Sequence, residues 1–378
     1  MNNPPATDRP TTGVPASGIP GTIDAIDDAW LTATFRTEGL LPDGSTVRIV
    51  DRSPVGDGSN WICDVARLRL EVDGDPGSVP ASLVAKVPVE DEVVRSMLGP
   101  VCLYEREGLF FQHAAPFLGD AVPRVWLVAE NTGADEHLLL IEDLVDGRFG
   151  DQLAGCTADE AEMALRTLAR LHGRFWESSE LASFDWLRPI GFPDSSLGAQ
   201  LYTGSLAAFR KSFGHLLDPA NEVVVATLAD HSGAILERLL AGPNTVTHFD
   251  YRLDNLFFTN GPDPEVRMID FQTSCRSGPG YDVGLFLSQS IDTDVRRAHE
   301  DRLLGAYLDE LRACGVDDYT ADDLHLAYRY GVLYGWLTPV FVTSNLDMSN
   351  QRALDMWTAV IGRSQAAMAD LRVAELLG

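Results

Sequence analysis

His248, Asp250, Arg252 and Asn255 fall within the eight residues HFDYRLDN, and Asp270 follows in MIDFQ after the turn-like stretch TNGPDPEV. A carboxylate, an amide and a second carboxylate on adjoining ends of a short hairpin are the groups that phosphoryl transfer requires. One carboxylate accepts the proton of an attacking hydroxyl, and hard oxygen ligands hold Mg²⁺ against the phosphates. In that chemistry Asp250 is the base, Asn255 and Asp270 are the metal ligands, and Arg252 neutralises charge on the transferred group. His248 orients the loop by hydrogen bonding. Asp and Asn also build plain turns, and His248, Asp250, Asp254 and Asp270 are equally the donor types of a metallohydrolase. The rest of the chain has to separate these readings.

A second signal lies in the basic residues. The chain has only two lysines, Lys86 and Lys211, among 29 Lys plus Arg. Where either cation serves, this sequence uses arginine, so a retained lysine marks a place where a compact ammonium is needed. Lys211, in AAFRKSFGHLL, fits the solvated face of a helix. Lys86, in the apolar run ASLVAKVPV, does not. At the end of a strand Lys86 can reach the α- and β-phosphates of a nucleotide if a carboxylate from the next helix holds it. YEREGLFF offers Glu105 and Glu107, which point to different helix faces; Glu107 is the expected partner, with Glu105 close behind it. The VGDGSN turn, with Gly56 and Gly58, places backbone N–H groups over the phosphates. The apolar strand LLLIEDL ends in Glu142, Asp143 and Leu144, a linker whose backbone can hydrogen-bond adenine.

The elements that must position these groups follow from periodicity. IDDAWLTATFRTEG reads as a helix ending at Gly39. STVRIVDR, NWICDVARLRLEV and SLVAKVPV alternate as strands, CLYEREGLFFQHAAPFL reads as a helix, and RVWLVAE and HLLLIEDL are two more strands. From Thr157 the pattern turns helical. Thr157 with Glu160 forms a capping box ahead of LARLHGRFW, and helical spacing returns at 200–214, 218–241, 293–314, 320–345 and 350–376. Only TVTHF, NLFF and VRMIDF interrupt it. The expected fold is therefore α+β and bilobal. A disordered lead is expected over 1–21, a β-rich nucleotide-binding lobe over 22–145, and a mainly helical catalytic lobe over 146–378, with the junction at LVDGRFG.

Together the segments LLIEDL, LARLHGRFW, HFDYRLDN, MIDFQ and GPGYDVGLFL resemble the small-molecule phosphotransferases of protein-kinase-like fold: aminoglycoside kinases, choline kinases and, most of all, the ecdysteroid-kinase-like group. YRLDN is also similar to the kinase domains associated with acyl-CoA dehydrogenases that phosphorylate hydroxyacyl-CoAs. The resemblance covers roughly residues 50–290. It implies ATP and Mg²⁺ as cofactors, and it implies that Asp282 supports the catalytic loop. Two positions depart from the pattern. Phe249 stands where the family usually has glycine, which adds bulk at a tight turn, and Gln272 follows IDF where protein kinases have glycine.

Composition narrows the partners. The formal charge is −27, which repels nucleic acid and anionic lipid. Cysteines 63, 102, 156, 275 and 314 have neither CxxC nor metal-ligand spacing, and no leader or membrane-spanning stretch is legible, so a cytoplasmic protein is expected. A nucleotide-binding pseudoenzyme would usually have lost one of Lys86, Asp250, Asn255 or Asp270. A metallohydrolase leaves Lys86 and the first lobe without a purpose. The acceptor ranks as an apolar or modestly polar alcohol first, steroid-like or hydroxyacyl, and an aminoglycoside second. His172, between apolar residues of LARLHGRFW, reads as a satisfied core histidine. Tyr328, Tyr330, Tyr334 and Trp336 read as core aromatics more readily than as an acceptor pocket. Oligomeric state is not legible.

Overall fold

The computed structural model describes residues 18–56, 62–131, 135–191, 196–344 and 346–377. The chain divides into two compact units, Met1–Val145 and Asp146–Gly378.

In the first unit, helix α1 (Asp28–Thr37) precedes three strands, β1 (Thr46–Pro54), β2 (Cys63–Asp73) and β3 (Ser82–Pro88). Helices α2 (Glu92–Leu98) and α3 (Leu103–His113) come next, followed by β4 (Val125–Asn131) and β5 (Glu136–Glu142). The strands form one antiparallel sheet in the order β1-β2-β3-β5-β4. Alternation decides its two faces. Leu83, Ala85 and Val87 of β3 join Leu68, Leu70, Leu127, Ala129, Leu138 and Leu140 against Trp30, Leu31 and Phe35 of α1, forming the core. Lys86 falls between two of these positions and points to the opposite face. Asp27 caps α1, its carboxylate accepting from the Trp30 amide. Helix α2 was not anticipated; it is only seven residues long, too short for a clear period.

The second unit is mainly helical: β6 (Gly147–Phe149), α4 (Ala158–Arg174), α5 (Leu197–Phe213), α6 (Glu222–Ala241), β7 (Thr245–Thr247), β8 (Leu256–Thr259), β9 (Val266–Met268), β10 (Cys275–Ser277), α7 (Gly280–Gln289), α8 (Thr293–Ala313), α9 (Ala321–Gly335), α10 (Leu337–Ser344) and α11 (Gln351–Asp370). The capping box of Thr157 and Glu160 opens α4, each side chain bonded to the other's backbone. The single helical stretch expected over 320–345 is two helices, α9 and α10, meeting at Trp336. Pro339, two residues into α10, has no N–H for continuing the ladder. Every residue of α7 is buried, so it carries no amphipathic period. It packs against α9 at glycines: a Cβ on Gly284 would lie 2.5 Å from the Gly331 carbonyl carbon. Two short antiparallel sheets frame the loop of interest, one pairing β7 with β10 and the other β8 with both β6 and β9. Among the described residues no helix is long and apolar enough to cross a membrane.

Candidate active site

In the second unit the chain leaves β7 at Thr247 and enters β8 at Leu256, and the intervening residues carry the charged cluster. The β8–β9 register pairs Leu256 with Met268. That pairing brings Asn255, just before β8, beside Ile269 and Asp270, just after β9, and the Ile269 amide donates to the Asn255 carbonyl at 3.0 Å. Residues fifteen apart in sequence thus become neighbours because a hairpin turn lies between them.

Asp250 is one-third exposed at its carboxylate. The Asn255 amide nitrogen donates to Asp250 Oδ2 and to the Asp250 carbonyl, both at 2.9 Å, and Arg252 Nε lies 3.4 Å from the same Oδ2. Arg252 also bonds Asp254 Oδ2 at 3.0 Å. Burial works against the Arg252 cation, yet the neighbouring charges of Asp250, Asp254 and Asp270 outweigh it and raise its pKa. The guanidinium therefore stands among three carboxylates. Asp254 itself is used as a brace: its Oδ1 accepts from the Gln152 amide at 3.0 Å.

His248 is fully buried. Its Nε2 donates to the Ile269 carbonyl at 2.9 Å, and its Nδ1 accepts from the Asp250 amide at 3.3 Å. Both ring nitrogens are engaged in holding the two halves of the loop, so the ring is not a metal ligand and the metallohydrolase arrangement does not form. Below it, Asp282 in the first turn of α7 is also fully buried. Its Oδ2 accepts from the His248 amide at 2.7 Å and meets His172 Nε2 at 3.2 Å, while its Oδ1 accepts from the Phe249 amide at 2.8 Å. His172 continues to the Tyr307 hydroxyl through Nδ1 at 2.7 Å. It is a core histidine, as its apolar setting suggested, and it is also part of the support under the loop.

Two further supports had little sequence signal. Tyr251, fully buried, donates its hydroxyl to the Ala164 carbonyl of α4 at 2.6 Å. Gln152 accepts from the Leu253 amide at 2.9 Å through its side-chain oxygen. Tyr251 sits inside the motif, but its type and spacing alone do not point to a role in supporting the loop. Gln152 lies in an irregular segment about a hundred positions away, where nothing local marks it.

Phe249 and Asp270 have φ values of +69° and +66°, a region that side chains other than glycine's rarely occupy. Positive φ at both ends of the cluster is backbone strain concentrated where the charged groups meet. Asp270 is half-buried, and Gln272 Nε2 approaches its Oδ2 at 3.4 Å.

In the first unit, Lys86 Nζ lies 2.6 Å from Glu107 Oε2, and both side chains are largely buried. Glu107, not Glu105, is the partner. Helix α3 lies close on β4, where a Cβ on Gly108 would collide with the Glu130 carboxylate. The charge of Glu105 is felt instead by Glu130, whose pKa is pushed up to about 7, by burial first and by Glu105 second. Gly56 has φ +94° just beyond β1, a conformation that glycine adopts without strain. Gly58 lies outside the described residues. The Glu142 amide donates to the Arg124 carbonyl at 2.8 Å within the sheet, so that N–H is already committed. Asp143 is buried and accepts from Arg67 Nε at 2.8 Å, and Leu144 is buried beside it. Of the four aromatics weighed for an acceptor pocket, Tyr328 and Trp336 are wholly buried, and the Tyr328 hydroxyl donates to Glu300 at 2.6 Å. Tyr330 is half-buried. Only Tyr334 joins the aromatic contacts near the loop, its ring 5.8 Å from that of Tyr281.

A model of the ecdysteroid kinase-like family matches residues 57–316, more than half of the chain. A comparison with curated proteins finds no match. Among solved structures the chain is similar to an aminoglycoside phosphotransferase candidate from Ralstonia eutropha JMP134, with 16% identity over 92% of this chain and 97% of that one and a TM-score of 0.55. It is also similar to a choline/ethanolamine kinase family protein from Mesorhizobium loti, with 15% identity over 87% of this chain and 93% of that one and a TM-score of 0.50. At these identities the likeness is one of fold, the α+β protein-kinase-like fold.

Proposed function

The chain belongs to the ecdysteroid kinase-like family and is a small-molecule kinase, and from that premise we propose that it transfers the γ-phosphoryl group of ATP to the hydroxyl of a small apolar or modestly polar alcohol, steroid-like or hydroxyacyl in type. The observation that carries this reading is the arrangement of Asp250, Asn255 and Asp270. Asn255 commits its amide nitrogen to Asp250, and the β8–β9 register sets it beside Asp270.

Asp250 takes the proton of the acceptor hydroxyl as the new P–O bond forms. The hydrogen bond from Asn255 fixes the carboxylate's orientation, and its partial exposure leaves it reachable by an acceptor. Arg252 offsets charge on the transferred group. His248, with both nitrogens engaged, keeps the loop in register and does not exchange protons. In the first unit Glu107 holds the Lys86 ammonium in place for the nucleotide phosphates, with the chain at Gly56 offering backbone N–H groups. The backbone at Asp143 and Leu144, with Glu142 ending the strand before them, offers an edge for adenine.

The residues fit Mg²⁺. With the Asn255 nitrogen committed, its side-chain oxygen is the atom left to bind a cation, and Asp270 adds a carboxylate, both hard oxygen donors. Among the described residues no three His, Cys, Asp or Glu side chains gather into a cage. A cation that takes its other ligands from phosphates and water, as Mg²⁺ does, suits so sparse a set. Bound there, Mg²⁺ supplies charge neutralisation at the phosphates.

A second reading, an aminoglycoside acceptor, is favoured by the formal charge of −27, which draws polycations. The test is ATP turnover with Mg²⁺ against pooled alcohols, hydroxyacyl-CoAs and aminoglycosides, followed by mass spectrometry for an added phosphate. A phosphorylated apolar alcohol supports the first reading, and a phosphorylated aminoglycoside replaces it with the second. Nucleotide binding without any product points to a regulatory pseudokinase. No nucleotide binding refutes the kinase assignment.

A further inference from the structure

The strained residue beside the base has no catalytic atom, yet the fold holds it firmly. Phe249 adopts φ +69°, where a glycine would sit without penalty. Its amide is pinned by Asp282 at 2.8 Å, so the backbone conformation serves the loop. The side chain does not contribute to that conformation and makes it harder to reach. What the ring does is stack: it lies on Tyr281 of α7, centroids 4.4 Å apart and planes 15° from parallel. Tyr281 in turn meets Tyr334 of α9 edge-on at 5.8 Å. Tyr281 and Tyr334 are buried, whereas Phe249 is only half-buried. Tyr281 covers one face of the Phe249 ring, and Phe249 is the one residue of these three that is not buried. The group also lies near the base. The Tyr281 hydroxyl has its pKa raised well above the usual value, mainly by burial, with the charges of Tyr334, Asp282 and Asp250 adding to it.

We infer that Phe249 is a specificity-determining residue of the acceptor site: its ring, backed by Tyr281 and Tyr334, is an apolar wall beside Asp250 that receives the hydrocarbon face of an alcohol acceptor. This rests on the phosphotransferase reading and deepens it by naming the residue that selects the acceptor class. The chemistry follows from the ring. A flat apolar face beside a carboxylate base suits an alcohol whose hydroxyl projects from a hydrocarbon skeleton. A heavily hydroxylated or polyammonium acceptor gives up water against that face and gains little for it. The retained strain has a purpose on this account, because glycine at the same position would relieve the backbone and remove the wall.

The test uses the full chain and two probes, testosterone as a polycyclic apolar alcohol with a single hydroxyl and kanamycin as a heavily hydroxylated, polyammonium one. Wild type, Phe249→Gly and Phe249→Tyr are compared for KM and kcat with each probe, for ATP affinity by calorimetry, and for melting temperature. The expected result is a KM for testosterone that rises on the order of tenfold or more in Phe249→Gly, with a smaller change in kcat. Phe249→Tyr, which keeps the aromatic face, restores it. The melting temperature of Phe249→Gly falls only modestly, because relief of the positive φ offsets part of the lost stacking on Tyr281. The inference is overturned by any of three outcomes: a KM for testosterone that moves less than threefold, a fall in kcat alone, or a wild-type protein that binds ATP but leaves testosterone unmodified or prefers kanamycin. Failure of the wild type to bind ATP is a different result. It removes the phosphotransferase reading itself.

Discussion

Replacing Asp282 with asparagine tests how the loop carrying Asp250 is held. The aspartate accepts three hydrogen bonds from wholly or partly buried donors. The His248 amide and His172 Nε2 converge on Oδ2, and the Phe249 amide bonds Oδ1. Asparagine has the same shape but one acceptor oxygen. If that oxygen takes the Oδ2 position, its NH₂ group faces the Phe249 N–H; if it flips, the NH₂ faces His248 and His172. Either way at least one charge-assisted bond is lost, worth about 1.5–3 kcal/mol, and an amide is left facing another donor. Part of the loss is offset because a buried charge is no longer desolvated. The net destabilisation expected is about 2–4 kcal/mol, which for a domain of this size lowers the melting temperature by roughly 4–16 °C. Asp282→Ala, which strands all three donors, should cost more, about 3–5 kcal/mol. Activity should fall further than stability alone requires. With its amide unpinned, Phe249 relaxes away from φ +69° and carries Asp250 with it, and a displacement of about 1 Å at a catalytic group costs on the order of 10²-fold in rate. Thermal unfolding followed by circular dichroism and single-turnover phosphate transfer at saturating ATP would measure the two effects. An Asp282→Asn protein melting within a degree of wild type and turning over within threefold would refute the argument, because the loop would then be held by Tyr251, Gln152 and His248 without it.

The remaining expectations separate the groups of the site. Asp250→Ala should reduce transfer by roughly 10²–10⁴-fold while leaving ATP affinity within a few fold; calorimetry showing lost nucleotide binding in a folded protein would contradict the assignment. Lys86→Arg keeps the charge but places a wide guanidinium beside Glu107, where the lysine side chain is only 12% exposed, so a rate loss of roughly 10²-fold is expected, and near-normal kinetics would mean Lys86 does not contact phosphate. Glu130 gives a pH signature. Its folded pKa of about 7 lies above its ordinary value of 4.5, so the folded state holds the proton more tightly. The associated stability is fully present below pH 4.5 and is lost as pH rises through about 7. Glu130→Gln should flatten that slope in denaturant titrations and stabilise the protein at pH 8 by about 1–3 kcal/mol; an unchanged slope would place the titration elsewhere.

Much of the chemistry was legible because it is local. His248, Asp250, Arg252 and Asn255 lie within one loop, and their spacing is itself the signal. Lys86 stood out because an ammonium in an alternating apolar strand is costly unless something pairs with it. The β-rich and helical halves followed from periods of two and of about 3.6 residues, which survive without tertiary information. Helix α7 did not, since burial on every side erases the period that betrays a surface helix. The division of the 320–345 stretch into α9 and α10 was missed for a related reason: the run from Gly331 to Leu337 is buried without a break, and such a run does not show where one helix ends and the next begins.

What the sequence determined alone was the inventory and order of the groups: a lysine in a strand, a carboxylate on a following helix, and a carboxylate, an amide and a second carboxylate around a hairpin. What only the tertiary structure decided was which groups meet. Glu107 and Glu105 are two residues apart and chemically identical, and the packing of α3 on β4 turns Glu105 toward Glu130 and leaves Glu107 for Lys86. His172, Asp282 and Gln152 come from distant segments, and their convergence beneath the loop depends on how α4 and α7 pack. The burial of Asp282 is likewise a property of the packed core. Pairing between distant segments is set by packing and by the satisfaction of buried polar groups, and neither leaves a periodic trace in the chain.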